Sequence, residues 1–208
     1  MRLGYRICRL ICHALYVGLF RGRAFGVRNV PHTGGVLLVS NHQSFLDPML
    51  ATLAIPRECH YMARDTLFDH NGLREVMTYL NAFPIKRDTA DMRGIKETLR
   101  RLKAGHVVLT FPEGTRTRDG SIGPMRGGVA VLGRKARVPL VPTLVQGAFK
   151  CWPRTAKWPR PSPVIVAYGE PVYPHEHPEW SDEECVERVR GIILGLQVRY
   201  ASHPILQS

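Results

Sequence analysis

The residues best suited to chemistry stand in one short run, Asn41-His42-Gln43-Ser44-Phe45-Leu46-Asp47-Pro48. Imidazole is the side chain whose ordinary pKa lies near neutrality, so His42 suits the role of general base. Asp47, five residues on, can turn back on a tight loop and accept the other ring N–H. That contact would fix the tautomer and stabilise the imidazolium as it forms. The same aspartate before Pro48 also reads as an N-cap and N1 pair for a helix over residues 48–54, which leaves His42 a structural residue.

A second group lies about 70 residues downstream, in Phe111-Pro112-Glu113-Gly114-Thr115-Arg116-Thr117. Gly114 lets backbone approach a ligand closely. Arg116 offers a planar, permanently charged fork that matches phosphate. Glu113 is placed to hold that arginine or to bind a hydroxyl. The plain alternative is a polar turn with a surface ion pair. Taken alone, Ile85-Lys86-Arg87 is a charged turn, and residues 138–142, with Pro139 and Pro142, read as an edge strand.

Both runs follow apolar stretches, residues 35–40 and 107–111, that read as buried strands, and α/β folds place reactive groups where strands end. Further strands are expected at 140–145 and 164–168. Asp91 reads as the N-cap of a helix with an apolar stripe of Met92, Ile95, Leu99 and Leu102, ending at Gly105. Residues 126–136 read as a helix of small residues. Ser181 with Glu184 is a capping box for a C-terminal helix faced by Val186, Val189, Ile193, Leu196 and Tyr200. Residues 152–163, rich in proline and basic residues, form an exposed loop. The alternation argues an α/β domain.

The chain has 208 residues, 44% hydrophobic and 22% charged, which suits one domain with a sizeable core and excludes disordered and collagen-like classes. Five cysteines without a CxxC pair give neither zinc spacing nor a disulfide framework, and a reducing compartment is the default. Lys+Arg is 29 against Asp+Glu 17, net +12, which calls for an acidic partner: nucleic acid, anionic lipid or a phosphorylated substrate. No helix-turn-helix, zinc-finger or RNA-recognition signature is present, so no nucleic-acid partner is expected. The one basic–aromatic cluster is Lys150, Trp152, Arg154, Lys157, Trp158 and Arg160.

No acid precedes Asp47, and the apolar run at residues 10–20 is too short to cross a bilayer. Arg2, Arg6, Arg9 and His13 form one polar stripe at helical spacing, opposite Leu3, Ile7, Leu10, Ile11, Ala14 and Val17. Such a helix lies in a membrane interface, or packs on its own domain with its arginines in water. Residues 1–27 are therefore set apart as an amphipathic membrane-interface segment, with the domain proper over 28–208.

Taken together and in this order, the segments resemble the glycerolipid acyltransferase family, its 1-acyl-sn-glycerol-3-phosphate acyltransferase branch above all. Asn41, His42, Ser44 and Asp47 match its NHxSxxD motif, and residues 111–116 its FPEGTR motif, with Thr117 replacing the serine that follows. Pro84, Ile85 and Arg87 match the second motif, although Asn81 stands at its glycine and Phe83 at its first aliphatic position. Val138, Pro139 and Pro142 match the fourth. The likeness runs from about residue 28 to 172. It implies a single domain with a central mixed sheet flanked by helices, behind an N-terminal amphipathic, membrane-contacting helix.

It also implies acyl transfer from coenzyme A or acyl carrier protein to a lysophospholipid hydroxyl, without metal or other cofactor. His42 would be the base, oriented by Asp47. Arg87, Glu113, Gly114, Thr115 and Arg116 would bind the acceptor's glycerol phosphate, and backbone N–H groups near Gly114 are candidates for the oxyanion. The partners would be the thioester donor, the lysophospholipid and an anionic membrane surface, with the chain peripheral or monotopic on the cytoplasmic face. Three rivals are a hydrolase using Ser44 or Cys59 as nucleophile, a basic nucleic-acid-binding module suggested by charge alone, and a relative acting on another lysophospholipid or an amino-acid lipid.

Overall fold

The computed structural model describes residues 3–86 and 91–207. The strands are β1 (Arg23–Phe25), β2 (Val36–Ser40), β3 (Cys59–Arg64), β4 (Ala82–Ile85), β5 (Val107–Thr110), β6 (Leu140–Gln146) and β7 (Ile165–Tyr168). They form one sheet in the order β1-β7-β6-β2-β5-β3-β4. β2 to β6 run parallel to one another, while β7 lies antiparallel to β6 and β1 follows β7. The sheet is therefore mixed, as the resemblance implied.

Helices cover both faces. They are α1 (Leu3–Gly18), α2 (Asp47–Leu53), α3 (Asn71–Tyr79), α4 (Met92–Lys103), α5 (Gly128–Ala136), α6 (Ala148–Cys151), α7 (Asp182–Tyr200) and α8 (Pro204–Gln207). Side chains alternate across a strand. In β2, Val36 and Leu38 therefore face Leu50, Tyr16 and Phe20 on one side, while Leu37 and Val39 face Val129, Val189 and Ile193 on the other. Burial of both faces is why β2 and β5 read as continuous apolar runs rather than alternating ones.

Several local expectations are met. Asp91 caps α4 through the N–H groups of Arg93 and Gly94, and the Ser181–Glu184 capping box closes in both directions. Asn81 adopts φ +65°, which stands in for the glycine of the second motif.

Others are corrected. α4 is buried along Gly94, Thr98 and Leu102, whereas Met92 and Ile95 of its apolar stripe are exposed. Residues 138–142 do not form an edge: β6 lies between β7 and β2. Its register with β7 steps from Thr143↔Tyr168 to Leu140↔Val172, three residues against four, so a bulge lies opposite Pro142 and its missing N–H breaks no regular ladder. Arg23–Phe25, inside the segment set apart as 1–27, is already a strand of the sheet.

α1 lies across α2 and separates its faces clearly. Tyr5 and Tyr16 are buried against the domain and Cys12 is half-buried, while Leu3, Ile7, Leu10, Ile11 and Val17 are exposed, Leu10 to 70%. Its outward side is therefore mostly apolar, with Arg6 and His13 also exposed on the helix. Tyr16 and Phe20 anchor the helix in the core. Among the described residues no helix is long and apolar enough to cross a membrane. Arg2 lies outside the described residues.

Candidate active site

β2 and β5 are neighbours, parallel, with Val39 opposite Thr110. Their ends point the same way, so the loop at 41–47 and the loop at 111–117 emerge side by side. This pairing brings the two motifs together across some 70 residues of chain.

The His42 imidazole Nδ1 lies 2.8 Å from Asp47 Oδ2. The same oxygen accepts the N–H of Gln43 at 2.5 Å and of Ser44 at 2.7 Å. Asp47 is therefore more than a cap for α2: its carboxylate folds back over the preceding turn. Nδ1–H donates to it, and Nε2 is the nitrogen left to take a proton. Asp47 is fully buried and His42 is 8% exposed. Burial pushes the Asp47 pKa up, opposed by the hydrogen bond from His42 and by the two backbone N–H groups.

The histidine is held from three sides. Its ring stacks on Phe111, with centroids 4.0 Å apart. Its N–H donates to Glu113 Oε1 at 2.7 Å, and its carbonyl accepts the Thr117 N–H at 2.8 Å. Glu113 Oε2 takes the Gly123 N–H at 3.1 Å. Both oxygens of Glu113 thus brace backbone, which differs from holding Arg116 or a hydroxyl. Burial pushes its pKa up, partly offset by these N–H donors. Asn41, to which sequence reasoning gave no role, ties the end of β2 to β6 through the N–H and carbonyl of Val145.

Gly114 has φ +73°, and its N–H donates to the Phe111 carbonyl at 3.0 Å. That N–H closes the turn, so it is engaged and not directed at an oxyanion. A Cβ there would stand 3.3 Å from the Arg126 guanidinium, a neighbour that no motif disclosed. Arg116 places its guanidinium 3.4 Å over the Phe45 ring. Thr115 is exposed on the same turn. Arg87 lies outside the described residues.

Beside the two loops opens a cavity of about 570 Å³, bordered by His42, Phe45, Phe111 and Arg116 at the motif loops. Its remaining wall is largely apolar: Met62, Leu67, Met77, Leu80 and Ala82 on one side, Tyr5, Cys8 and Cys12 of α1 on the other. Size and lining are typical of a site for an organic ligand. These lining residues carry no motif, and only the fold assembles them.

The nucleophiles of the hydrolase reading are out of reach. Ser44 is fully buried and donates its hydroxyl to the Trp152 carbonyl at 2.9 Å. Cys59 is fully buried, and burial pushes its thiol up to about 12, which disfavours the reactive thiolate. Among the described residues no three His, Cys, Asp or Glu side chains gather as a metal site would require.

Known proteins resemble this chain. The family model described as Acyltransferase matches residues 23–146. The 1-acyl-sn-glycerol-3-phosphate acyltransferase of Bacillus subtilis is 31% identical over 147 residues, covering 69% of this chain and 71% of that protein. The mouse alpha enzyme of the same name is 31% identical over 139 residues, 65% of this chain and 49% of that one. The chloroplast enzyme BAT2 of Brassica napus is 31% identical over 131 residues, and only 38% of its length is covered. In structure, the chain resembles the 1-acyl-sn-glycerophosphate acyltransferase PlsC of Thermotoga maritima, with a TM-score of 0.83 over 96% of this chain and 80% of that one, at 24% identity. The family match spans more than half of the sequence and includes both loops that meet at His42, and the chain belongs to the acyltransferase family.

Proposed function

We propose that this acyltransferase moves a fatty acyl group from an acyl thioester to the free sn-2 hydroxyl of 1-acyl-glycerol-3-phosphate. Coenzyme A or acyl carrier protein would be the donor. The observation that carries the reading is the His42–Asp47 pair at 2.8 Å beside an apolar cavity that Arg116 also lines.

In the proposed reaction the acceptor hydroxyl attacks the thioester carbonyl while His42 Nε2 takes its proton. Asp47 balances the imidazolium. The tetrahedral intermediate then collapses, the C–S bond breaks, and the imidazolium returns the proton to the leaving thiolate. Alignment of two separate substrates is worth about 7–11 kcal/mol of barrier. Arg116 supplies charge for the acceptor phosphate, and the same role is proposed for Arg87 and Thr115. Glu113 and Gly114 set the shape of the loop that carries Arg116 and Thr115. Direct attack by a hydroxyl on a thioester calls for no metal or prosthetic group.

The proposed acceptor and its diacyl product are membrane lipids. The outward apolar side of α1, whose inner side walls the cavity, supports interfacial binding on the cytoplasmic leaflet, where anionic lipid would attract the basic chain.

The test is transfer by the purified full chain, crossing several lysolipids with coenzyme A and carrier-protein thioesters. His42→Ala should lose at least about 100-fold in kcat while melting like the parent. Arg116→Ala should raise the acceptor KM more than the donor KM. Near-normal turnover in folded His42→Ala would refute the base assignment, and equal KM effects would remove Arg116 from the phosphate.

A further inference from the structure

The segment between β6 and β7 takes no part in the chemistry above, and its composition asks for a partner. Residues 150–160 carry Lys150, Arg154, Lys157 and Arg160, and no acid occurs between Asp119 and Glu170. All four cations are exposed, and none forms an ion pair among the described residues. Trp158, in their midst, is 79% exposed. A large indole is usually well buried, so its display in water is unusual.

The segment is built to hold this display. The Arg160 N–H donates to the Cys151 carbonyl at 2.7 Å, and the Ala156 N–H to the Pro153 carbonyl at 3.1 Å. The Trp152 indole N–H donates to the Ala156 carbonyl at 3.1 Å. Pro153, Pro159 and Pro161 fix backbone angles along it. Little backbone ordering entropy is left to lose on binding.

Its two ends are also informative. At one end the Trp152 carbonyl accepts the Ser44 hydroxyl at 2.9 Å and the Phe45 N–H at 3.3 Å, at the border of the cavity. At the other the Val164 N–H donates to the Phe20 carbonyl at 3.0 Å, next to the exposed Leu19 at the close of the α1 run. The segment thus joins the active-site loop to the apolar helix.

We infer that residues 150–160 form a second membrane-docking element, with Trp158 seated at headgroup level and the four cations on the phosphates of anionic lipids. Indole prefers the interface, where one end is apolar and the other wet, and juxtamembrane cations add electrostatic attraction. An acidic carrier protein would satisfy the charge. It would not account for the junction with the apolar end of α1, which a continuous lipid surface does. This inference rests on reading α1 as interfacial and deepens the proposed membrane function.

The experiment is flotation of the full-length protein with phosphatidylcholine vesicles, with and without phosphatidylglycerol. Arg154→Gln/Lys157→Gln/Arg160→Gln should bind anionic vesicles about 100-fold more weakly, at about 1 kcal/mol per cation, with its melting temperature unchanged. Trp158→Phe should remove the fluorescence quenched by shallow brominated lipids. Its turnover on short-chain, water-soluble substrates should stay at the parental level. Parental vesicle affinity in the triple variant, or no quenching attributable to Trp158, would overturn the inference. So would a rise in KM confined to carrier-protein thioester, which would make the segment a protein dock. An α1 variant, Leu10→Asp/Ile11→Asp, tests the parent reading separately: vesicle binding retained there but lost in the triple variant would leave the loop as the anchor.

Discussion

Asp47→Asn is the most informative single change. All three donors to Asp47, the His42 ring and the N–H groups of Gln43 and Ser44, converge on one oxygen, Oδ2. An asparagine must place its carbonyl oxygen there, because its amide would meet three N–H groups head on. The imidazole orientation and both turn hydrogen bonds then survive; the charge is lost, and the amide NH2 takes the buried place of Oδ1, which has no hydrogen-bond partner among the described residues. A carboxylate about 4 Å from the centre of an imidazolium is worth about 4 kcal/mol at an effective dielectric constant of 20. That charge pair exists only once His42 has taken the proton, so its loss falls on kcat, by about 1,000-fold, with KM little changed.

Asp47→Ala differs in kind. It strands two buried N–H groups at about 1–3 kcal/mol each and lowers the melting temperature as well. The assay is steady-state transfer of labelled acyl chain to lysophospholipid, with thermal melts of both variants. Asp47→Asn turnover within tenfold of the parent, at equal stability, would refute the electrostatic role of the carboxylate.

Two further outcomes follow from the same geometry. Both oxygens of Glu113 accept backbone N–H groups, so Glu113→Gln must aim an amide at one of them. It should cost about 2 kcal/mol, lower the melting temperature by about 4–8 °C and reduce kcat. A selective rise in acceptor KM at unchanged stability would instead put Glu113 on the substrate. Remote from the site, His60 stacks on His106 and meets Arg101 at 2.6 Å, and burial, then Arg101 and His106, push it down to about 4, with Glu58 opposing. The unfolded chain takes up this proton below about 6.5 and the folded protein only near 4. Stability should therefore fall as pH drops through that window, by about 2 kcal/mol between pH 7 and 5. Melts at those two pH values should show a smaller loss for His60→Gln; equal losses would refute the assignment.

What the sequence determined by itself is local. His42 and Asp47 lie within one turn, so their spacing alone allowed the hydrogen bond that forms. The caps at Asp91 and Ser181 depend on neighbours a few residues away, and they too could be read directly. Arg116 was legible as a cation just beyond strand β5, through a motif whose spacing is specific, although the structure half-buries it against Phe45.

Tertiary structure decided whatever depends on strand order. Only the β2–β5 pairing sets Glu113 under the His42 backbone, and only the packing of α1 on the domain makes a cavity from Tyr5, Cys8 and Met77. The edge strand expected at Pro139 and Pro142 proved central because a bulge in a distant segment absorbs the missing N–H. Sequence periodicity records which side of an element is apolar. It does not record what lies across from it, because contacts between residues far apart in the chain are fixed by the packing of the whole sheet.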